Sequence, residues 1–209
     1  MGEQKGGFLS RLKAALLFSN PSDEAEPKSE NPESGYLDED FAEKFTEAGG
    51  KFAYCISNEQ LIGELQLIFQ DSGWKNIFCI SKELNKILIE AGIPSKDLLG
   101  LEDCQATFTK CEALLADTGN IVMSARVDKS RQLKACPDTQ LVLAYTSQLA
   151  ANENQAMQQL KERYGSSMPA SITQISPPKA VNESEDSLIK QGANSPKEIY
   201  LFLIESGEL

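Results

Sequence analysis

Apolar and polar positions divide the chain into three stretches with different rhythms. Over residues 6–18, Phe8, Leu12, Ala15 and Leu16 recur at helical spacing, with Leu9 and Leu17 widening the stripe, and this predicts a short amphipathic helix. Such a stripe needs cover, which its own domain, a sister subunit or, with only Lys5, Arg11 and Lys13 for charge, a membrane surface can give. Residues 19–37 have no periodicity; Pro21, Pro27 and Pro32 lie among serines and carboxylates, and the stretch reads as a solvated linker. From residue 38 onward the rhythm alternates between apolar runs and helical stripes, which sets the expected domain at 38–209.

Within that domain, Asp38 and Asp40 can open a helix whose apolar face is Phe41 and Phe45, stopped at Gly49 and Gly50. A strand over 52–56 follows, then a helix capped by Asn58 carrying Leu61, Leu65 and Phe69. A second strand over 76–80 leads to a helix over 81–90, closed by Gly92 and Pro94. Strands alternating with helices of this length predict βαβ units, hence an α/β fold with a mixed, mostly parallel sheet flanked by helices. Further strands are expected at 106–109, 120–124, 140–145, 172–175 and 198–204, with a brief helix or turn over 111–116 and a helix over 152–164. The last strand is apolar throughout, as a central strand is.

Charge and composition narrow the function. The net charge is −11, but residues 19–40 hold eight carboxylates against Lys28, which leaves only −4 for the rest. A general nucleic-acid binder normally carries a basic footprint, so nucleic acid is not an expected partner. The chain has no histidine, which removes Ser-His-Asp and Cys-His nucleophiles and histidine-bound metals. Its five cysteines, at 55, 79, 104, 111 and 136, include no pair with cluster or zinc-ribbon spacing. Cys55 and Cys79 sit inside apolar runs and read as buried thiols of a reducing, cytoplasmic protein. No apolar run reaches the roughly 20 residues of a membrane span.

Three places can carry chemistry. Asp117, Thr118 and Gly119 bring a carboxylate, a hydroxyl and a flexible backbone onto one turn, suited to holding a ligand or simply to turning the chain. Lys129, Arg131 and Lys134 form the densest positive charge; Arg131 can fork onto a carboxylate or phosphate, or the loop can be merely solvated. Cys136, before Pro137, has no histidine to activate it. The third place pairs Ser176, Pro177, Pro178 and Lys179 with the loop from Gly192 to Lys197, at strand ends where open α/β sheets bind ligands. No dinucleotide fingerprint or Walker loop occurs, no cofactor or metal is expected, and no catalytic residue is assigned.

The order of these pieces resembles the LUD-domain family, the lactate-utilisation C proteins. Ala116-Asp117-Thr118-Gly119-Asn120-Ile121-Val122 is similar to the family's alanine-glutamate-threonine-glycine-threonine-isoleucine-valine segment. Arg131, Leu133 and Cys136-Pro137-Asp138 fall where that family has an arginine and then a proline before a strand. Gly192-Ala193-Asn194-Ser195-Pro196 resembles its glycine-x-histidine-glycine-proline segment, with Asn194 in the histidine's place and Ser195 in that of the second glycine. The Ser176 loop keeps only Pro177 and Lys179 of the family pattern, and Asp117 replaces its glutamate.

The resemblance implies a sugar-isomerase/CoA-transferase-like fold. It also implies a part in oxidising L-lactate to pyruvate, as a component without a cluster beside separate iron–sulfur oxidoreductase subunits. The expected ligand is a small anionic metabolite, a hydroxy- or oxo-acid or a phosphate-bearing one, held by Asp117, Thr118, Gly119, Arg131, Lys179 and Asn194. Two alternatives are an independent CoA or acyl transferase acting through Asp117, and a scaffold whose pocket has decayed.

Overall fold

A computed structural model describes residues 37–128, 136–177 and 196–205. The expected amphipathic helix and acidic linker lie outside these residues. Helix α1 (Leu37–Glu47) buries Phe41 and Phe45 completely, stacked with ring centroids 5.3 Å apart. Burying an aromatic side chain of this size stabilises by roughly 1.5–3 kcal/mol. Strand β1 (Lys51–Cys55) leads to α2 (Asn58–Ser72). The cap of α2 is Ser57, not the expected Asn58: the Ser57 hydroxyl accepts the Gln60 amide from extended backbone, so the helix starts one residue earlier. Gly73, at φ 65°, ends α2 in the left-handed region.

Strand β2 (Ile77–Phe78), α3 (Lys82–Glu90) with Ser81 as its cap, and β3 (Ser95–Lys96) follow. After a 3-10 segment at Leu98–Asp103 come β4 (Ala106–Lys110), β5 (Ala113–Leu115), β6 (Asn120–Met123) and β7 (Thr139–Tyr145). The chain then runs through β8 (Leu149–Ala150), α4 (Glu153–Tyr164), β9 (Thr173–Ile175) and β10 (Glu198–Ile204).

The strands form two sheets. The larger has the order β1-β10-β7-β4-β2-β3 and is parallel throughout. Strand β10 pairs on both sides, with β1 and β7, and six of its seven residues are buried. This is why it carries an unbroken apolar run rather than an alternating one. The antiparallel pairing resides in the smaller sheet, β8-β5-β6-β9. Residues 111–116, expected as a brief helix or turn, hold β5 instead. Ala113, Leu114 and Leu115 favour a helix locally, but β6 and β8 pair with them from both sides, and all three are buried.

The layers follow from the alternation of side chains along the strands. Val142, Ala144, Leu201 and Leu203 point from the larger sheet to a core shared with Phe41, Phe45, Leu114 and Ile121. The smaller sheet presents Ala113, Leu115 and Val122 on its opposite side, against Ala156 and Leu160 of α4. Helices α2 and α3 lie on the other face of the larger sheet, where Trp74, just beyond α2, meets Tyr200 edge-on at 6.1 Å. Among the described residues no helix is long and apolar enough to cross a membrane.

Candidate functional site

In the larger sheet, β2 and β4 are neighbours whose onward connections part company. From β2 the chain passes through α3 to the edge strand β3, whereas from β4 it travels the other way, to β7. In open parallel sheets the crevice at the carboxyl ends of such strands is where ligands bind. Here Lys110 ends β4, Glu83 lies in the first turn of α3, and Tyr145 ends β7. Lys110 pairs in register with Leu143, so Lys110 and Tyr145 share the face that α3 covers. The Lys110 ammonium is 2.6 Å from Glu83 Oε2 and 5.8 Å from the centre of the Tyr145 ring. Burial, and then the charge of Glu83, push the Tyr145 phenol up to about 12, so its hydroxyl is a proton donor at neutral pH. A shallow cleft of about 450 Å³ opens at the ends of β2 and β3, lined by Cys79, Ile80, Ser81, Asn85, Leu98 and Leu99.

The predicted turn at Asp117, Thr118 and Gly119 joins β5 to β6 as a hairpin. Gly119 has φ 71°, and a Cβ there would stand 2.7 Å from the amide nitrogen of Phe45. The close approach that glycine permits is therefore to the backbone of α1. Four amides of the turn are engaged internally: Ala116 donates to the Ala150 carbonyl, Asp117 to that of Ala151, Gly119 to that of Leu115, and Asn120 to the Thr118 hydroxyl. Lys44 donates to the Asp117 carbonyl at 2.9 Å. As whole residues Asp117 and Thr118 are exposed, although the Asp117 carboxyl itself is partly withdrawn from solvent. Partial burial holds the Asp117 carboxyl above its ordinary value, against the Thr118 hydroxyl and Lys44, which pull it down.

Of the remaining sequence-predicted site residues, Arg131, Lys179 and Asn194 lie outside the described residues, as do Lys129 and Lys134. Asp128, at the start of the basic segment, is buried and accepts from Gln140 Nε2 at 3.0 Å; the same amide nitrogen donates to Thr109. Ser176 is buried, and Lys197 pairs with Asp138 at 2.7 Å. Cys55, Cys79, Cys104 and Cys111 are all buried, and Cys136 is half-buried. Among the described residues no group of three or more acidic or cysteine side chains could hold a metal ion.

Sequence reasoning missed a buried carboxylate. Glu112, immediately before β5, is fully buried: Ser124 donates to its Oε1 at 2.5 Å and Tyr164 to its Oε2 at 2.8 Å. Arg163 reaches Oε2 at 3.5 Å and donates to the Glu112 carbonyl at 3.0 Å. Arg126 lies 4.7 Å from the Tyr164 ring centre. The centre ties β6 and α4 to the start of β5, and its hydrogen bonds answer the cost of burying the charge. One signal was available: a glutamate inside the otherwise apolar stretch 111–116. Lys110 and Glu83 gave no such signal, because their meeting depends on the strand order.

The fold and these sites can be set beside known proteins. The chain resembles a DUF162 family protein from Deinococcus radiodurans, whose crystal structure matches it with a TM-score of 0.59. The match covers 80% of this chain and 96% of that one at 15% sequence identity, a likeness of fold. No curated protein matches the sequence. The model of the LUD domain matches residues 99–204, which run from the 3-10 segment before β4 through the end of β10 and include the Asp117 turn, Lys110, Glu112 and Tyr145. With more than half of its 209 residues matched, the chain belongs to the LUD-domain family.

Proposed function

We propose that this protein serves the oxidation of L-lactate to pyruvate in the cytoplasm, as a component without a cluster of its own beside iron–sulfur oxidoreductase subunits. The observation that carries this reading is the LUD-domain match over residues 99–204. The cysteine spacing is in keeping with this reading, since the five positions include no pair at cluster spacing. The ligand is a small hydroxy- or oxo-acid. Asp117 and Thr118 are its contacts on the exposed hairpin turn, with Arg131, Lys179 and Asn194 supplying charge and hydrogen bonds from the two loops singled out in the sequence. Gly119 serves the turn itself.

The test is isolation of the tagged protein from cells of its source grown on L-lactate. Co-isolation of proteins carrying iron and acid-labile sulfide, together with loss of growth on lactate when the chain is deleted, is the expected result. A protein that associates with no iron–sulfur partner and binds neither lactate nor pyruvate overturns the reading.

A further inference from the structure

We propose that Lys110, Tyr145 and Glu83 form a further small-acid site, selective for a 2-hydroxy acid over the matching 2-oxo acid. The inference takes its ligand class from the function proposed above, but its location comes from the sheet topology alone. Two neighbouring strand ends and one helix start meet there: Lys110 from β4, Tyr145 from β7, and Glu83 from the helix that follows β2. They converge at the point where the onward connections of β2 and β4 diverge, the part of an open parallel sheet that accepts ligands.

The chemistry of the three groups complements a hydroxy acid. An ammonium has three donors, so Lys110 can keep Glu83 at 2.6 Å and still bond a ligand carboxylate. The Tyr145 phenol, 5.8 Å from the same ammonium at its ring centre and neutral at physiological pH, adds a second donor. Glu83 is an acceptor only, and its side chain is half-exposed, so it can take a bond from a ligand hydroxyl. A keto oxygen in the same place would be a second acceptor facing a carboxylate. That mismatch is the source of the selectivity: a group left without its partner loses more than a simple contact.

The experiment is calorimetric titration of the full chain with L-lactate and with pyruvate. The same titrations are run on Lys110→Met, Tyr145→Phe, Glu83→Gln and Asp117→Ala, each checked for wild-type circular dichroism and melting. Lactate is expected to bind more tightly than pyruvate. In the binding event that Asp117→Ala leaves in place, Lys110→Met should weaken both acids at least tenfold and Tyr145→Phe both by three- to tenfold. Glu83→Gln should lower the lactate-to-pyruvate affinity ratio at least threefold. Should Lys110→Met fail to fold, Tyr145→Phe and Glu83→Gln decide the matter, since one removes a single hydroxyl and the other changes a half-exposed side chain. Wild-type affinities in both Lys110→Met and Tyr145→Phe overturn this site. If Asp117→Ala alone loses binding, the site falls while the proposed function stands. A wild-type chain that binds neither acid overturns the site and removes the ligand part of the proposed function with it. An unchanged affinity ratio in Glu83→Gln overturns the selectivity.

Discussion

Gly119 and Phe45 are 74 positions apart in the chain, yet a Cβ on Gly119 would lie 2.7 Å from the Phe45 amide nitrogen. The hairpin turn of the smaller sheet is thus seated directly on the backbone of α1. Gly119→Ala should destabilise the protein by about 2–5 kcal/mol, combining strain at positive φ with overpacking against a rigid backbone. Urea unfolding checks this: the midpoint should fall while the slope stays constant. An unchanged midpoint would mean that α1 shifts freely away from the turn.

The buried Glu112 centre should behave as a unit. Tyr164→Phe removes one hydrogen bond to a charged group and should cost roughly 1.5–3 kcal/mol, whereas Glu112→Ala should cost about 3–5 kcal/mol because it strands several partners at once. A double-mutant cycle of Tyr164→Phe with Ser124→Ala should give a clear coupling energy, since both hydroxyls donate to the same carboxylate. Strict additivity would show that the two bonds are independent.

Asp117 gives a pH dependence of defined sign. Its carboxyl is held above the ordinary 3.8, chiefly by burial, so the folded state binds that proton more tightly than the unfolded one. The associated stability is present in full below pH 3.8 and is lost as pH rises through the folded value. At neutral pH the ion carries the burial penalty, so Asp117→Asn should melt at a higher temperature than wild type. The difference should shrink as pH falls toward 3.8. Melting curves of both proteins between pH 7 and pH 4 test it; a gain that grows on acidification contradicts the sign.

Thiol chemistry should separate the cysteines. Burial pushes Cys55 up to about 12 and Cys79 up to about 11, and it raises Cys104 and Cys111 as well. At neutral pH the native protein should therefore expose at most one rapidly reacting thiol to an aromatic disulfide reagent, the half-buried Cys136. In denaturant all five should react. Two or more fast thiols in the native state would contradict the burial of the other four.

Much of this was legible along the chain because local physics decided it. Phe41 and Phe45 at helical spacing before paired glycines gave α1, and the unbroken apolar run at 198–204 gave a doubly flanked strand. Ser57 took the cap expected of Asn58 because either side chain can do so, and adjacent capping residues look alike in sequence. Residues 113–115 became a strand because partners far along the chain, at 120–123 and 149–150, pair with them.

By itself, then, the sequence determined the α/β class, the individual helices and strands whose apolar period is strong, and the turn at Asp117, Thr118 and Gly119. Composition removed histidine chemistry, and the ordered motifs pointed to the family. Only the tertiary structure decided the strand order, the separation of the antiparallel strands into their own sheet, and the meeting of Lys110, Glu83 and Tyr145. It also decided that Gly119 is needed for the approach of α1 and that Glu112 is buried with its partners. The physical reason is range: periodicity and capping act within a few residues, whereas strand pairing and the burial of a charge are set by contacts between segments distant in sequence.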